Sequence, residues 1–335
     1  WENSYKLNLG TEIGLFDDFE FQADVFRERR TNILMDRIQL ASMGLESGVR
    51  ANIGEATSKG IDASIDYNKS FSNGWWIQAR ANFTYAVSKM SKLEEPDYSA
   101  TPWLSHIGRS INQNYGLIAE RLFIDEADVH NSPEQTFGTY GPGDIKYRDV
   151  NGDGKISDLD KVAIGNPTSP DIVYGFGFSA GYKAFDFSAF FQGLANESFW
   201  IDTYNTSPFL NTMGGGYAGN NQLLKAWATS YWSEENQNIY ARWPRLTATY
   251  SQNNNQTSTW FMQDGTFLRL KSLELGFTVP PKVSERIKLS KCRFYVNGTN
   301  LLTFSKFKLW DPEMGGNGLG YPIQRVFNVG VLVEF

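Results

Sequence analysis

Cysteine is nearly absent from the 335 residues: Cys292 is the single one, so no disulfide can form within the chain. This argues against a small secreted domain held together by disulfides. A surplus of positive charge is absent too, since 31 lysines and arginines face 37 aspartates and glutamates, which leaves a nucleic-acid role without electrostatic support. No run approaches the ~18 apolar residues of a spanning helix. A membrane location would therefore require β-strands.

Catalytic side chains are also sparse. The two histidines, His106 and His130, lie apart, and no serine or cysteine stands in a recognisable nucleophile setting. The carboxylate pairs Glu94–Glu95 and Glu234–Glu235 are adjacent in sequence, which favours solvated loops over a pair that flanks a scissile bond. The sequence therefore predicts a protein that is not an enzyme.

Apolar and polar residues alternate along much of the chain, which is the period of a β-strand. The clearest examples are Ile77–Val87, Ile172–Tyr182 and the C-terminal Phe327–Phe335. In a membrane barrel such alternation separates a lipid face from a polar interior. On this interpretation the interior face has Arg80, Asn82 and Thr84, and the lipid face has Phe83 and Tyr85.

The alternation and the turn residues predict nine strands, and most of them are as long as the ~9–11 residues that a tilted strand needs to cross a bilayer. Short turns join some of them, and long connections separate the others. The predicted strands lie near 4–15, 18–30, 58–68, 75–89, 171–183, 185–195, 263–279, 291–303 and 324–335. The predicted long extracellular loops lie near 31–57, 90–170, 196–262 and 304–323.

Short periplasmic turns that alternate with long extracellular loops are typical of outer-membrane barrels. The sequence thus predicts an all-β fold, a transmembrane antiparallel β-barrel. The alternative is a secreted calcium-binding β-sandwich that binds carbohydrate or acts as an adhesin. It would explain the 10 Trp, 16 Tyr and 24 Phe, but not the alternation of loop lengths. A sandwich should be soluble without detergent, which distinguishes the two.

Strand parity predicts that the chain is part of a longer protein. If the segment 90–170 holds zero or two crossings, the total is nine or eleven, whereas single-chain bacterial barrels normally have an even number of strands. The chain also begins at Trp1, without an initiator methionine or a signal peptide. We therefore expect further strands before Trp1.

The segment 149–160 matches the spacing of a 12-residue calcium loop, in which alternate positions supply oxygen ligands and position 6 is a glycine. Gly154 occupies position 6, and Asp160 replaces the usual glutamate at position 12. The alternative is an Asp/Asn/Gly-rich turn without a metal. The predicted Ca²⁺ ligands are Asp149, Asn151, Asp153, Lys155 through its carbonyl, Ser157 and Asp160.

The loop 196–262 is rich in aromatic residues. Such rings stack on sugars or grip a partner protein, although they can equally pack a loop on itself or lie in an interfacial belt. The predicted substrate-binding residues are Trp200, Tyr204, Trp227, Trp232 and Trp243. A terminal Phe335 that follows an alternating strand is similar to the sorting signal of outer-membrane barrels.

Several motifs resemble those of SusC/RagA-type TonB-dependent importers, and together they cover nearly the whole chain. They are the run Gly143–Ile156, Ile164–Pro167 with Pro170 and Tyr174–Gly175, Trp1–Glu2 leading to Asn8, Ser58–Asp62, Phe267–Lys271 with Leu275–Phe277, and Asn297–Leu302.

The resemblance implies a 22-stranded barrel of the bacterial outer membrane, of which this chain is the C-terminal portion. It also implies an N-terminal plug and a TonB box that couples import to the TonB complex, both upstream of these residues. A SusD-like lipoprotein is implied as a lid, and the substrate as an oligosaccharide or a peptide. The expected function is therefore nutrient import, with outer-membrane lipid around the barrel and no nucleic-acid partner.

Overall fold

A computed structural model describes residues 1–38, 44, 48–207, 224–247 and 251–335. Nine long strands form one antiparallel sheet, in which each strand pairs with the next along the chain. We label them β1 (Asn3–Leu15), β2 (Phe19–Asp36), β3 (Arg50–Ser70), β4 (Trp75–Lys92), β5 (Ile172–Tyr182), β6 (Phe185–Ala195), β7 (Phe267–Thr278), β8 (Lys291–Ser305) and β9 (Val326–Glu334).

The nine predicted strands are confirmed. Because β4 pairs directly with β5, the segment between them contributes no strand to the large sheet. Short strands lie at Asn114–Gly116, Ala119–Leu122, Glu134–Gln135, Ile145–Tyr147, Lys155–Ile156, Val162–Ile164, Ser198–Trp200 and Met262–Asp264. Helical turns lie at Pro102–Leu104, Glu126–His130, Asp158–Asp160, Thr203–Thr206, Lys225–Ala228, Pro281–Ser284, Glu285–Ile287 and Pro312–Met314. None of the helices in the described residues is long and apolar enough to span a membrane.

The hairpin of β2 and β3 is longer than predicted, so the loop expected near 31–57 is confined to residues 37–49. The register shifts between Arg30 and Ile33, and Asn32 adopts a left-handed backbone with a φ of 58°. This β-bulge interrupts the two-residue period on which the sequence prediction depended. Pairing nevertheless continues up to Asp36 and Arg50.

The two faces of the sheet differ in polarity as the alternation predicts. Cross-strand partners in an antiparallel pair share a face, and the row through Phe83 includes Ala63 and Tyr174. The apolar side chains are not covered by a second sheet within the described residues: Phe83 is 42% exposed, Leu275 57% and Val329 82%. This exposure favours contact with lipid and argues against a β-sandwich.

Aromatic side chains gather on the apolar face near the short turns. Trp75 stacks on Tyr182 with ring centroids 4.6 Å apart, and Phe185 packs against Phe277 at 5.0 Å. Outer-membrane barrels carry such aromatic girdles at the membrane interfaces. We therefore place the short turns at one membrane surface and the long loops beyond the other.

The long loops fold together into one hydrophobic core, which we call the loop cluster. It joins residues from the connections after β4, β6 and β8, so segments far apart in sequence become neighbours. Its buried members are Leu117, Leu122, Ile145, Tyr147, Ile156, Ile201, Trp227, Trp232, Ala241, Trp243, Phe261 and Phe307.

Candidate functional site: the inner wall and the loop cluster

The polar face of the sheet, which we call the inner wall, carries the side chains predicted to line a lumen. Asn82 and Thr84 lie opposite Ser64 and Asp62 in the register of β3 and β4. Two residues closer to the turn between β3 and β4, Arg80 lies opposite Asp66, and its guanidinium donates to the Asp66 carboxylate. The inner wall therefore offers hydrogen-bonding groups to a polar solute.

Carboxylates predominate on the inner wall of the first four strands. The strand register places six carboxylates and three basic residues on this face. The carboxylates are Glu12, Glu20, Asp24, Glu28, Asp62 and Asp66, and the basic residues are Lys6, Arg30 and Arg80. Asp24 and Asp62 lie directly opposite each other, which is an unfavourable pairing of like charges.

A second polar group lies on the inner wall close to the short turns. The Nη2 atom of Arg293 is 2.5 Å from Asp186 Oδ1 and 2.6 Å from Glu274 Oε1. Asn297 donates to the other oxygen of Glu274 at 3.3 Å. The group ties β6, β7 and β8 together across their polar face.

Asp144 is the polar centre of the loop cluster and is fully buried. Its carboxylate accepts hydrogen bonds from the backbone N–H of Gly141, from Asn254 Nδ2 and from two nitrogens of Arg245. This carboxylate raises the pKa of the Arg245 guanidinium through the hydrogen bond. Every acceptor site faces a donor, which is what a buried carboxylate requires.

The backbone before Asp144 is equally constrained. Gly143 has a φ of 81°, and the ring of Trp232 lies directly against the position that a Cβ atom would take. Any larger residue would strain the backbone and collide with the indole. The fold around Trp232 and Arg245 therefore explains why the motif Gly143–Ile156 begins with glycine and aspartate.

Asp128 holds a second ionic group at the edge of the loop cluster. Arg121 binds both carboxylate oxygens, at 2.5 and 2.9 Å, and Lys146 Nζ lies at 3.2 Å. The backbone N–H of Ile124 donates to the same carboxylate at 3.0 Å. These donors, Arg121 first, hold the pKa of Asp128 far below its usual range. Asp128 is therefore ionised in the folded protein at neutral pH.

A buried ion pair fastens the last loop to the sheet. Arg269 on β7 is 1% exposed, and its Nη2 atom lies 2.5 Å from Asp311 and 3.0 Å from Glu313. Sequence reasoning missed Arg269, Asp144 and Asp128 as structural centres, because a strand pattern does not mark ion-pair partners. The partner lies 42 residues from Arg269, 101 from Asp144 and 7 from Asp128. The motifs around Asp144 and Arg269 were the only available signal.

Most of the predicted substrate-binding aromatics pack inside the loop cluster. Trp227, Trp232 and Trp243 are 1%, 5% and 8% exposed. Trp227 packs 4.9 Å from Trp243, and its Nε1 donates to the carbonyl of Thr206. In this conformation the three rings pack the loops on one another, and substrate contact by Trp227, Trp232 or Trp243 stays a prediction.

The other two predicted aromatics differ. Trp200 is half-buried, and its Nε1 donates to the carbonyl of Ser258 at 2.8 Å. The side chain of Tyr204 lies outside the described residues. Substrate contact by Trp200 or Tyr204 stays a prediction.

A cavity of about 330 Å³ opens on the surface of the loop cluster. Tyr240 is 68% exposed at its edge, and Trp260 and Arg242 stand beside it. Trp260 Nε1 donates to the carbonyl of Arg242 at 3.3 Å, which orients the indole. The cavity is lined by the exposed ring of Tyr240 together with Arg242 and Gln263, residue types that can bind a polar ligand.

The predicted calcium loop is closed by its own hydrogen bonds. The two oxygens of Asp149 accept from the N–H groups of Gly152 and Gly154 at 2.6 and 2.8 Å. Asp153 accepts from the N–H of Lys155 and from the amide of Asn151. The side chains of Asp149, Asn151 and Asp153 thus hold the backbone of one tight turn.

Asp160, at position 12 of the loop, points into the protein. It is fully buried and accepts from the N–H groups of Val150 and Ser157 at 2.8 Å each. The Ser157 hydroxyl accepts from the N–H of Leu159. Across the described ranges, no three His, Cys, Asp or Glu side chains come together as metal ligands. Calcium binding therefore stays a prediction from the spacing.

Comparison with known proteins gives the family. The family model described as "TonB dependent receptor-like, beta-barrel" matches residues 1–196. Among curated proteins, TonB-dependent receptors P3 and P26 of Formosa agariphila are 28% and 26% identical over the whole chain. The chain covers 34% and 35% of these two proteins, so it spans about a third of their length.

Solved structures share the fold. A structure of the RagAB peptide importer in the closed-closed state has a TM-score of 0.70 and 22% identity, with 100% of this chain and 36% of that chain covered. A structure of the RagAB peptide transporter gives 0.71 and 23%, with the same coverage. The predicted resemblance to SusC/RagA-type importers is thus confirmed at the level of the fold. The chain belongs to the TonB-dependent receptor-like β-barrel family, and its nine strands form part of a barrel wall in the bacterial outer membrane.

Proposed function

We propose that the protein takes part in TonB-dependent import of a polar nutrient across the outer membrane. The observation that carries the proposal is the contrast between the two faces of β1 to β9. Exposed apolar rows such as that of Phe83 meet lipid, whereas the row of Arg80 and Asn82 can line an aqueous passage.

We infer that the solute is an oligosaccharide, with a peptide as the second candidate. The exposed ring of Tyr240 and the indole of Trp260 suit stacking on a sugar, and Arg242 and Gln263 add hydrogen-bond donors. The peptide candidate is supported by the fold shared with a RagAB peptide importer. The acidic inner wall would favour solutes with neutral or positive groups.

We further propose that a SusD-like surface lipoprotein binds over the loop cluster. The cluster is a folded platform with a buried core, joined to the sheet by the ion pairs of Arg269. A partner that closes over it would enclose the cavity beside Tyr240. Affinity purification of the full-length protein from its native membrane tests this, since a stoichiometric surface lipoprotein should co-purify and its absence would contradict the proposal.

Growth of a strain that lacks this importer tests the function. The strain should lose growth on one polymer within a panel of glycans and peptides as sole carbon source, and the wild-type gene should restore it. Tyr240→Ala combined with Trp260→Ala should raise the concentration needed for half-maximal growth, whereas Tyr321→Ala, an exposed ring outside the cavity, should not. Unchanged growth on every substrate would contradict import of both classes.

A further inference from the structure

An uncompensated group of basic side chains lies on the lipid-facing side of β2, β3 and β4. Arg27 and Lys59 lie directly opposite each other, and Lys89 lies opposite Thr57, which puts it diagonally next to Lys59. Side chains in these relations are roughly 5 Å and 7–8 Å apart at Cβ. We call Arg27, Lys59 and Lys89 the outer basic patch.

The side chains of the patch are exposed and have no ion pair or side-chain hydrogen bond in the described residues. Their neighbour Arg29 differs, because it binds Glu55 at 2.7 Å. Like charges opposite each other destabilise a sheet. Three positive charges side by side would be unfavourable on a surface that contacts only hydrocarbon. A bound anion would neutralise them.

The outward carboxylate nearest to the patch in register, Glu55 on β3, is already bound to Arg29. The outward side chains of β2 from Phe19 to Arg29, of β3 from Thr57 to Lys69 and of β4 from Trp75 to Lys89 include no carboxylate. Between these bounds, the acidic side chains of the three strands point to the inner wall. Because β2, β3 and β4 each have neighbours on both sides, further barrel strands would not cover this face.

The patch lies at the upper edge of the apolar band. On β4 the apolar row runs from Trp75, in the aromatic girdle, to Val87, and Lys89 is the next outward residue. That row covers roughly 40 Å along the strand, or about 30 Å of membrane depth at a tilt of 35–45°. This depth is comparable to the ~30 Å hydrocarbon core. The patch is therefore level with the head groups on the long-loop side, which faces the cell exterior.

We propose that Arg27, Lys59 and Lys89 bind the phosphate group of an anionic lipid in the outer leaflet. One guanidinium and two ammonium groups on three neighbouring strands match the charge and the several acceptor oxygens of a phosphate ester. The acyl chains would lie along the apolar row below the patch, over Ile61 and Tyr85. This assignment depends on the membrane location alone and not on the substrate of import.

Native mass spectrometry of the full-length protein in nonionic detergent tests the proposal. The probes are phosphatidic acid, phosphatidylcholine with the same acyl chains, and inorganic phosphate. Phosphatidic acid should bind in preference to phosphatidylcholine, and an equal concentration of inorganic phosphate should not displace it. Displacement by inorganic phosphate would overturn the lipid assignment in favour of a free-anion site.

The variant Arg27→Gln with Lys59→Gln and Lys89→Gln should bind phosphatidic acid about a hundredfold more weakly, since each basic residue near an anionic surface contributes roughly a fivefold gain. The matched control removes three charges from the inner wall, with Lys6→Gln, Arg30→Gln and Arg80→Gln, and should bind as the wild type does. Equal affinity of the wild type and the outer variant would overturn the proposal. If the triple variant fails to fold, Lys59→Gln alone should still weaken binding about fivefold.

Discussion

The carboxylate of Asp144 and the guanidinium of Arg245 meet in a two-pronged ion pair, with Nη2 2.8 Å from Oδ2 and Nε 3.1 Å from Oδ1. The two residues are 101 positions apart, in the loops after β4 and β6. Because the Asp144 side chain has no exposed surface while Arg245 reaches solvent, the pair joins the interior of the loop cluster to its surface.

Asp144→Ala should destabilise the loop cluster by ~3 kcal/mol or more, because it leaves Arg245 and Asn254 without their buried acceptor. The fluorescence of the buried tryptophans should report loop unfolding at a lower denaturant concentration. Glu120→Ala is the control: it breaks the exposed pair with Arg148 and should cost ~0–1 kcal/mol. Equal effects of the two substitutions would contradict a central role for Asp144.

The assigned faces of β4 predict unequal costs for neighbouring substitutions. Phe83→Arg places a charge on the lipid face close to the middle of the apolar row and should cost ~2–4 kcal/mol. Asn82→Arg places the same side chain on the inner wall and should cost much less. A folding titration in lipid vesicles measures both, and equal costs would show that the faces are wrongly assigned.

Asp128 makes the stability of the loop cluster depend on pH. Its pKa in the folded state is lowered, chiefly by Arg121, whereas the unfolded chain has the ordinary value of 3.8. The stabilisation is therefore complete well above pH 3.8 and is lost as the pH falls towards the folded-state pKa. Asp128→Asn should destabilise the cluster at pH 7, and its difference from the wild type should narrow towards pH 3.

Limited proteolysis between pH 7 and pH 3, with an acid-tolerant protease, measures this difference. Glu234→Gln, at an exposed loop position, is the matched control and should leave the cleavage rate unchanged. A gap between the wild type and Asp128→Asn that stays constant across this range would contradict an ionised Asp128.

Calcium is expected to slow proteolytic cleavage of the 149–160 loop relative to a chelator. Asp153→Asn should abolish the effect, because it keeps an oxygen that can accept from the N–H of Lys155 but removes the charge. Asp158→Asn is the control, since Asp158 is not among the predicted ligands and pairs with Lys161. Equal cleavage with calcium and with chelator would mean that the internal hydrogen bonds suffice.

The strands were predictable because the alternation of each strand has one local cause, the different solvents on its two faces. That cause weakens at the Asn32 bulge, and the prediction ended there, several residues before Asp36. The loop cluster depends on pairings across more than 100 residues, such as Gln135 with Asn253. The alternation of neighbouring residues carries no information on such distant pairings. It therefore could not show that Trp227 is buried in the loop cluster.

The extra length of β2 and β3 has a mechanical consequence. At ~3.3 Å per residue, the 21 residues of β3 run to roughly 70 Å, more than a tilted crossing of the bilayer uses. Above the head groups this hairpin is therefore a stiff ladder of hydrogen bonds. A protein that docks on the upper end of this hairpin would be held at a fixed height above the cell surface. If that protein opens and closes over the barrel, the movement would have to occur within the docked protein and not in the hairpin.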